Sequence, residues 1–187
     1  MDTVLDRTWT TETFLTWEDH QEGKHEFDGV RVITLPGGSV AHQDIAFHTC
    51  ALLDRRLAGS PLVPVLSMRL RIGDRVRYPD VLICPTTVPQ TQRTLDDAVV
   101  VFEVLSDDTA ATDRIAKLRD YADIPSLRCY VMLEQASRGA IICERSTGGT
   151  WITAAMTQGT IEFSVPDLIL PLDEIYLGLV FPADPDA

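Results

Sequence analysis

An almost unbroken apolar run near the middle of the chain is the feature that most constrains its fold. Residues 98–105 read AVVVFEVL, and a run of this length and composition is typical of a strand covered on both faces of a sheet. Helical patterns lie on either side of it in sequence, one capped by Ser39 and ending near residue 58, the other over residues 113–123. Together these patterns predict an α/β fold in which one mixed β-sheet is flanked by helices.

Shorter patterns predict the remaining elements. A short helix opens at Thr10-Thr11-Glu12 with a threonine as its N-cap, runs through Trp17 and is stopped by Gly23. A hairpin that turns at Asp28-Gly29 follows it. In residues 68–72 apolar side chains alternate with arginines, which is typical of a half-buried strand. Strands at 151–154 and 160–163 are predicted to form a final hairpin, before a short helix within residues 171–179. Further strands are predicted at 75–78, 81–84, 129–133 and 140–143.

Length predicts the number of domains, and net charge argues against one class of DNA-binding protein. The 187 residues are expected to form a single domain, whose core covers about residues 10–180 with a short tail at each end. The chain has 16 Lys and Arg against 28 Asp and Glu, a formal net charge of −12. This acid excess argues against a protein that coats DNA non-specifically, because such a protein presents a basic surface.

Other features predict a cytoplasmic protein without a membrane partner. No stretch approaches the ~18 continuous apolar residues of a membrane span, and the N-terminus lacks the basic and apolar regions of a signal peptide. The four cysteines show no CxxC spacing and are interpreted as small buried side chains in a reducing cytosol. His20, His25 and His48 have no ligand spacing, so zinc is not expected.

Two acidic residues stand out because apolar strands surround them. Asp80 follows Pro79 and precedes an apolar strand, and Glu103 interrupts the most apolar run of the chain. A buried carboxylate requires a partner charge or a metal ion. Three explanations are compatible with this pattern: a position at a strand end, a salt bridge to an arginine such as Arg69, Arg71 or Arg77, and a metal site.

The helix that follows Glu103 carries three chemically useful side chains on one face. Asp113, Lys117 and Tyr121 are spaced four residues apart. One interpretation is an Asp–Lys pair that only stabilises the helix. The other is that this face brings an ammonium group to two carboxylates that hold a divalent cation such as Mg²⁺, an arrangement suited to metal-assisted phosphodiester hydrolysis.

These residues occur in an order that resembles a known family. The shared segments are Glu26 in HEFDGV, His42 in the long helix, YPDV at 78–81, EVLS at 103–106, and the Asp113, Lys117, Tyr121 series. Over about residues 10–180 the chain resembles the Uma2 family of endonucleases, in the PD-(D/E)XK, or restriction-endonuclease-like, superfamily. The resemblance implies that superfamily's core, a mixed sheet with helices on both sides.

The resemblance also implies a metal site. Asp80 and Glu103 would be the two acidic ligands of Mg²⁺ (or Mn²⁺), with the backbone carbonyl of Val104 as an additional ligand. Leu105 stands where the superfamily has its lysine, and the Uma2-like pattern moves that lysine to Lys117.

Four further positions have roles that the resemblance only suggests. Glu26 would complete the metal shell directly or through water, although it could be an acid at a strand edge. Tyr121 and His42 would contact the ligands or the substrate, but His42 lies near a helix start, where a capping or solvent-facing role is equally compatible. Asp113 would position Lys117 rather than bind metal.

A basic stretch beside Asp80 has two interpretations. It could be a strip that faces phosphates, or it could be ion-paired to the acidic surface. Its members are Arg69, Arg71, Arg75 and Arg77.

The resulting prediction is a Mg²⁺-dependent endonuclease that hydrolyses DNA phosphodiester bonds. The resemblance to the family also implies that the protein forms a homodimer. The catalytic residues would be Asp80, Glu103, Lys117 and Glu26. An alternative is the same fold acting as a nucleic-acid or protein interaction module with weak or lost nuclease activity. A nuclease that acts on RNA or on a branched nucleic acid is a third possibility.

Overall fold

The structure, a computed structural model, describes residues 8–105 and 111–181, without the side chains of residues 111–114. The helices in this part of the chain are α1 (Thr11–Glu18), α2 (Val40–Arg56), α3 (Ala111–Ala122) and α4 (Leu172–Ile175). The strands are β1 (His25–Phe27), β2 (Val32–Thr34), β3 (Leu62–Leu66), β4 (Arg69–Ile72), β5 (Arg75–Arg77), β6 (Val81–Pro85), β7 (Thr94–Leu95), β8 (Val100–Leu105), β9 (Cys129–Glu134), β10 (Ala140–Arg145), β11 (Trp151–Met156), β12 (Thr160–Phe163) and β13 (Leu168–Pro171).

A six-stranded mixed sheet forms the centre of the fold, in the order β11-β10-β9-β8-β6-β3. The predicted central strand is confirmed: every residue of β8 is buried, and β8 pairs in parallel with β9 and antiparallel with β6. On one face, Ile45 and Leu53 of α2 share a core with Phe102. On the other face, Tyr121 of α3 shares a second core with Val101. The expectation of a mixed α/β fold with helices on both sides of the sheet is therefore confirmed.

The expectation of one sheet is wrong, since a second sheet of five strands runs in the order β2-β1-β5-β4-β7 and β12 pairs with β13 alone. Two interruptions of the backbone separate the strands of the second sheet from β3 and β6 of the central sheet. Ser67 has a positive φ of 48° between β3 and β4, and Pro79 lies between β5 and β6, where it has no N–H to offer to a ladder. The second sheet packs on α1 through Phe14, Phe27 and Val76.

The predicted final hairpin is also wrong. β11 pairs with β10, with Arg145 opposite Trp151, and β12 pairs with β13. The turn after β10 is closed by a backbone bond from Ser146 N–H to the Thr150 carbonyl oxygen, and Gly149 supplies a φ of 82°. A compact turn of this kind reverses the chain directly, so β11 pairs with β10 and not with β12.

Local capping predictions are confirmed. The Thr10 side chain accepts from the Thr13 N–H at the start of α1, and Ser39 accepts from the His42 N–H at the start of α2. At the first hairpin, Asp28 Oδ1 accepts from two backbone N–H groups while Gly29 adopts a φ of 93°. The Ser39 cap matters for the site, because it fixes the first turn of α2, which carries His42.

Candidate active site

The strand pairing brings Asp80 and Glu103 together. Val81 at the start of β6 lies opposite Phe102 of β8 in antiparallel register. One residue further along this register, Asp80 stands opposite Glu103. Since side chains alternate along a strand, Glu103 lies on the same face as Val101, which is the face covered by α3.

Asp80 is held at both carboxylate oxygens. Oδ2 accepts a 2.7 Å hydrogen bond from the Val104 N–H, and Oδ1 lies 2.9 Å from Nε2 of His42. The bond to Asp80 raises the pKa of His42, against the opposing effect of partial burial. His42 therefore does not simply cap its helix or face solvent, since its ring joins α2 to the carboxylate.

The same contact orients the Val104 backbone. In an extended strand the N–H and C=O of one residue point to the same neighbour. Because the Val104 N–H points to Asp80, its carbonyl oxygen lies on that side of β8 as well. The role of this carbonyl as a third metal ligand stays a prediction.

Glu103 is buried, with 6% of its surface exposed, and its partners come from α3. The Tyr121 hydroxyl donates to Oε1 at 2.5 Å, and Lys117 Nζ lies 3.1 Å from Oε1 and 3.2 Å from Oε2. Burial raises the pKa of Glu103 to about 7, with Asp80 and Glu26 adding to the rise and Lys117 opposing it. Lys117 thus offsets only part of the effect that burial and the neighbouring carboxylates have on Glu103.

Glu26 reaches the same cluster from the second sheet. Its Oε1 accepts from the Tyr78 N–H at 3.0 Å, and its Oε2 accepts from Arg77 at 2.9 Å. Lys117 Nζ lies 3.8 Å from Oε1. With 2% of its surface exposed, Glu26 is a buried member of the site and not a solvated acid at a strand edge.

Asp113 is the predicted site residue that these contacts do not include. Its backbone belongs to α3, but its side chain lies outside the described residues, so its role stays a prediction. Asp80, Glu103, Lys117, Tyr121, His42, Val104 and Glu26 do come together.

The four arginines near Asp80 form ion pairs with carboxylates instead of presenting a strip to phosphates. Their partners are Glu18 and Asp19 for Arg69, Asp96 for Arg71, Asp120 and Asp123 for Arg75, and Glu26 and Asp120 for Arg77. Arg69 and Arg77 are buried. Of the two arginines in the alternating segment 68–72, Arg71 is partly exposed as a half-buried strand predicts, whereas Arg69 is not. The ion-pair interpretation is the one that the structure supports.

Sequence reasoning missed Asp120, which belongs to the scaffold of the site. It is buried on α3 and bonds to Arg77 through Oδ2, at 2.8 Å from Nε and 2.6 Å from Nη2. A signal was present, because Asp120 follows Lys117 by three residues and therefore lies on the same face of the helix.

The donor set fits a hard divalent cation. Asp80 and Glu103 supply carboxylate oxygens, the Val104 backbone contacts Asp80 through its N–H, and oxygen is the ligand that Mg²⁺ takes. Among residues 8–105 and 115–181 no three Asp, Glu, His or Cys side chains converge as metal ligands. Mg²⁺ is commonly bound by one or two carboxylates with several waters, so two acids and one carbonyl are a sufficient set.

No helix in the described part of the chain is long and apolar enough to cross a membrane.

The chain is similar in sequence to two proteins of one Synechocystis strain. A protein of Synechocystis sp. (strain ATCC 27184 / PCC 6803 / Kazusa), "Uncharacterized protein slr1290", is 29% identical over 175 residues, covering 91% of this chain and 92% of that protein. A second protein of the same strain, "Uncharacterized protein sll1609", is 28% identical over 132 residues, or 67% of this chain and 75% of its own.

A solved structure shares the fold. The crystal structure of "a putative nuclease belonging to DUF820" from Anabaena variabilis ATCC 29413 superposes with a TM-score of 0.75 at 15% identity, over 90% of this chain and 97% of that one. The family model of Uma2, described as "Putative restriction endonuclease", matches residues 11–174. That match runs from α1 to α4 and includes both strands that carry the acidic pair, so the chain belongs to the Uma2 family.

Proposed function

We propose that this protein is a Mg²⁺- or Mn²⁺-dependent endonuclease that hydrolyses DNA phosphodiester bonds. The observation that carries the proposal is the position of Lys117, whose Nζ lies within 3.2 Å of both oxygens of Glu103 while Glu103 stands opposite Asp80 across β6 and β8. Two acids with an adjacent ammonium group form a set suited to phosphodiester hydrolysis. Family membership supports the same class of activity.

Each residue has a distinct task in this proposal. Asp80, Glu103 and the Val104 carbonyl would hold the metal ion, which when bound polarises the phosphate and lowers the pKa of a bound water. Lys117 orients the attacking water and offsets the negative charge that develops on the phosphate. Asp113, at the start of the same helix, would help to position Lys117.

The surrounding groups keep the ligands in place. The His42 ring holds one oxygen of Asp80, and the Tyr121 hydroxyl holds one oxygen of Glu103. Glu26, which accepts from Arg77 and the Tyr78 N–H, adds negative charge beside Lys117. A second copy of the chain would supply a second site, which would permit double-strand cleavage.

The test is metal-dependent cleavage of a supercoiled plasmid. Wild type is incubated with Mg²⁺, Mn²⁺ or EDTA and compared with Asp80→Asn and with Asp96→Asn, whose exposed carboxylate pairs only with Arg71 in the described contacts. We expect nicking by wild type and Asp96→Asn that EDTA abolishes, and none by Asp80→Asn. Cleavage that persists in Asp80→Asn would contradict the proposed ligand.

The substrate class and the assembly need their own measurements. Single-stranded, branched and RNA oligonucleotides tested beside the plasmid show which nucleic acid is cut, and light scattering during gel filtration measures the proposed homodimer. Preferential cleavage of RNA would replace DNA as the substrate while preserving the site.

One observation favours the alternative of an interaction module. The arginines beside Asp80 are committed to carboxylates, which leaves less positive charge to bind phosphates. This alternative predicts no cleavage of any substrate and no gain in DNA binding when Ca²⁺ is added, as measured by fluorescence anisotropy.

A further inference from the structure

A buried guanidinium joins the parts of the fold that carry the site. Arg77 on β5 donates through Nε and Nη2 to Asp120 on α3, and through Nη1 to Glu26 on β1. The side chains of all three residues are at most 7% exposed. We call Glu26, Arg77 and Asp120 the arginine clamp.

The clamp acts on the helix that carries Lys117. Asp120 lies less than one turn after Lys117, so both side chains leave α3 on the same face. Arg75 adds a 2.5 Å bond to the other oxygen of Asp120. With both oxygens held by β5, α3 cannot rotate or slide without breaking charge-assisted hydrogen bonds, which are about twice as strong as neutral ones.

The clamp also reaches Lys117 from the opposite direction. Glu26 has one oxygen on Arg77 and the other 3.8 Å from Lys117 Nζ. Arg77 itself precedes the Tyr78-Pro79-Asp80 segment. The guanidinium of Arg77 therefore contacts both α3 and Glu26, and the same residue leads into the segment that ends in Asp80.

We infer that Arg77 and Asp120 are positioning residues that set the place of Lys117 against Glu103, and that Glu26 steers Lys117 instead of binding the metal. The catalytic meaning of this placement rests on the proposed nuclease function. The placement itself does not, because it can be measured without any cleavage.

The composition of the chain provides a direct probe. Of its 16 basic residues only two are lysines, Lys24 and Lys117. Lys24 is exposed, whereas the Lys117 side chain is 14% exposed and paired with Glu103. Reductive methylation with formaldehyde followed by peptide mass spectrometry thus gives a rate for Lys117 with Lys24 as the internal reference.

The variants are Asp120→Asn and Arg77→Gln, with Arg69→Gln as the matched control. Arg69 is an equally buried arginine that bonds two carboxylates of the α1 region, Glu18 and Asp19, and none on α3. We expect both clamp variants to raise the Lys117 to Lys24 ratio by about threefold or more, the change that weakening one partly exposed ion pair produces. Arg69→Gln should leave the ratio unchanged.

An unchanged ratio in folded Asp120→Asn would overturn the inference, and so would an equal rise in Arg69→Gln. Asp120→Asn preserves the shape of the side chain and decides the question if Arg77→Gln does not fold. If neither clamp variant folds while Arg69→Gln does, the role is purely structural and the inference fails.

Cleavage assays then separate placement from function. If the protein is a nuclease, Asp120→Asn should lower kcat by about tenfold to a hundredfold with little change in KM, because misplacing a catalytic group affects the chemical step. A raised labelling ratio in a wild-type protein that cuts no substrate would preserve the clamp and reject the nuclease.

Discussion

Lys117 Nζ lies 3.1 Å and 3.2 Å from the two carboxylate oxygens of Glu103, although 14 residues separate them in sequence. The strand supplies the acid and the following helix supplies the base. Leu105, the second residue after Glu103 on β8, carries no charge, so the ammonium group beside this carboxylate comes from α3.

Replacing Lys117 with methionine preserves the length of the side chain and removes its charge. Under the proposed mechanism kcat should fall by about 10²- to 10³-fold, the loss typical of removing one group that stabilises developing charge. Initial rates of plasmid nicking in Mg²⁺ measure it. Lys24→Met is the matched control, since Lys24 is exposed and contacts the Ser67 carbonyl and the Tyr78 ring, and its rate should match wild type.

Replacing Tyr121 with phenylalanine removes the hydroxyl that donates to Glu103 in a fully buried position. The carboxylate then loses a donor that water cannot replace, so unfolding free energy should fall by about 1–3 kcal/mol, as measured by urea denaturation. Mn²⁺ affinity, measured by calorimetry, should change as well, because the oxygen of Glu103 is no longer held.

The control for that variant is Tyr176→Phe. The Tyr176 hydroxyl is also buried and bonds to two backbone carbonyls, those of Glu134 and Gly139. Its loss should reduce stability without any effect on Mn²⁺ affinity. Equal metal affinities in wild type and Tyr121→Phe would show that the phenol does not orient Glu103.

Local signals in the sequence predicted the part of the site that depends on nearest neighbours. The apolar run around Glu103 fixes a buried strand, and the four-residue spacing of Lys117 and Tyr121 fixes one helix face. These features follow from periodicity, which is a property of the chain alone. Strand pairing then required only that β6 and β8 be neighbours for Asp80 to meet Glu103.

Contacts between distant segments could not be read in the same way. Arg69 alternates with apolar residues, as exposed side chains do, yet it is buried because Glu18 at the end of α1 and Asp19 directly after it neutralise its charge. The arginine clamp depends on how α3 packs against the second sheet. Such pairs are decided by tertiary packing, about which hydrophobic periodicity carries no information.

Stability should decrease as pH rises through neutrality. Burial raises the pKa of Glu103 to about 7 from an ordinary value of 4.5, so between these values the folded state holds a proton that the unfolded state has released. Stability therefore falls with rising pH over this interval. His42 acts in the same direction, because its raised pKa gives stability that is present below its unfolded pKa and lost as pH rises through the folded value.

Urea denaturation between pH 5 and pH 8 in EDTA measures this trend. Glu103→Gln removes the titrating carboxyl and should flatten the profile, with a smaller residual slope from His42. Addition of Mn²⁺ should recover stability most at the high end, where Glu103 is ionised and able to bind a cation. A wild-type profile that rises from pH 5 to pH 8 would contradict the raised pKa of Glu103.

A small change next to His42 should test the hydrogen bond that holds Asp80. A Cβ at Gly38 would lie 2.8 Å from Cδ2 and 2.9 Å from Cγ of the His42 ring, whereas one at Gly37 would have no heavy atom within 4 Å. Gly38→Ala must therefore displace neighbouring atoms, and we expect the displaced His42 ring to lose its bond to Asp80, whereas Gly37→Ala need not move the ring. Because the bond to Asp80 is the main cause of the raised pKa of His42, that pKa should fall towards its ordinary value of 6.5 in Gly38→Ala only.

Proton NMR titration of the histidine ring signals measures the shift, with His42→Gln to assign the resonance. If the pKa of His42 is the same in both glycine variants, the contact with Asp80 is not what raises it.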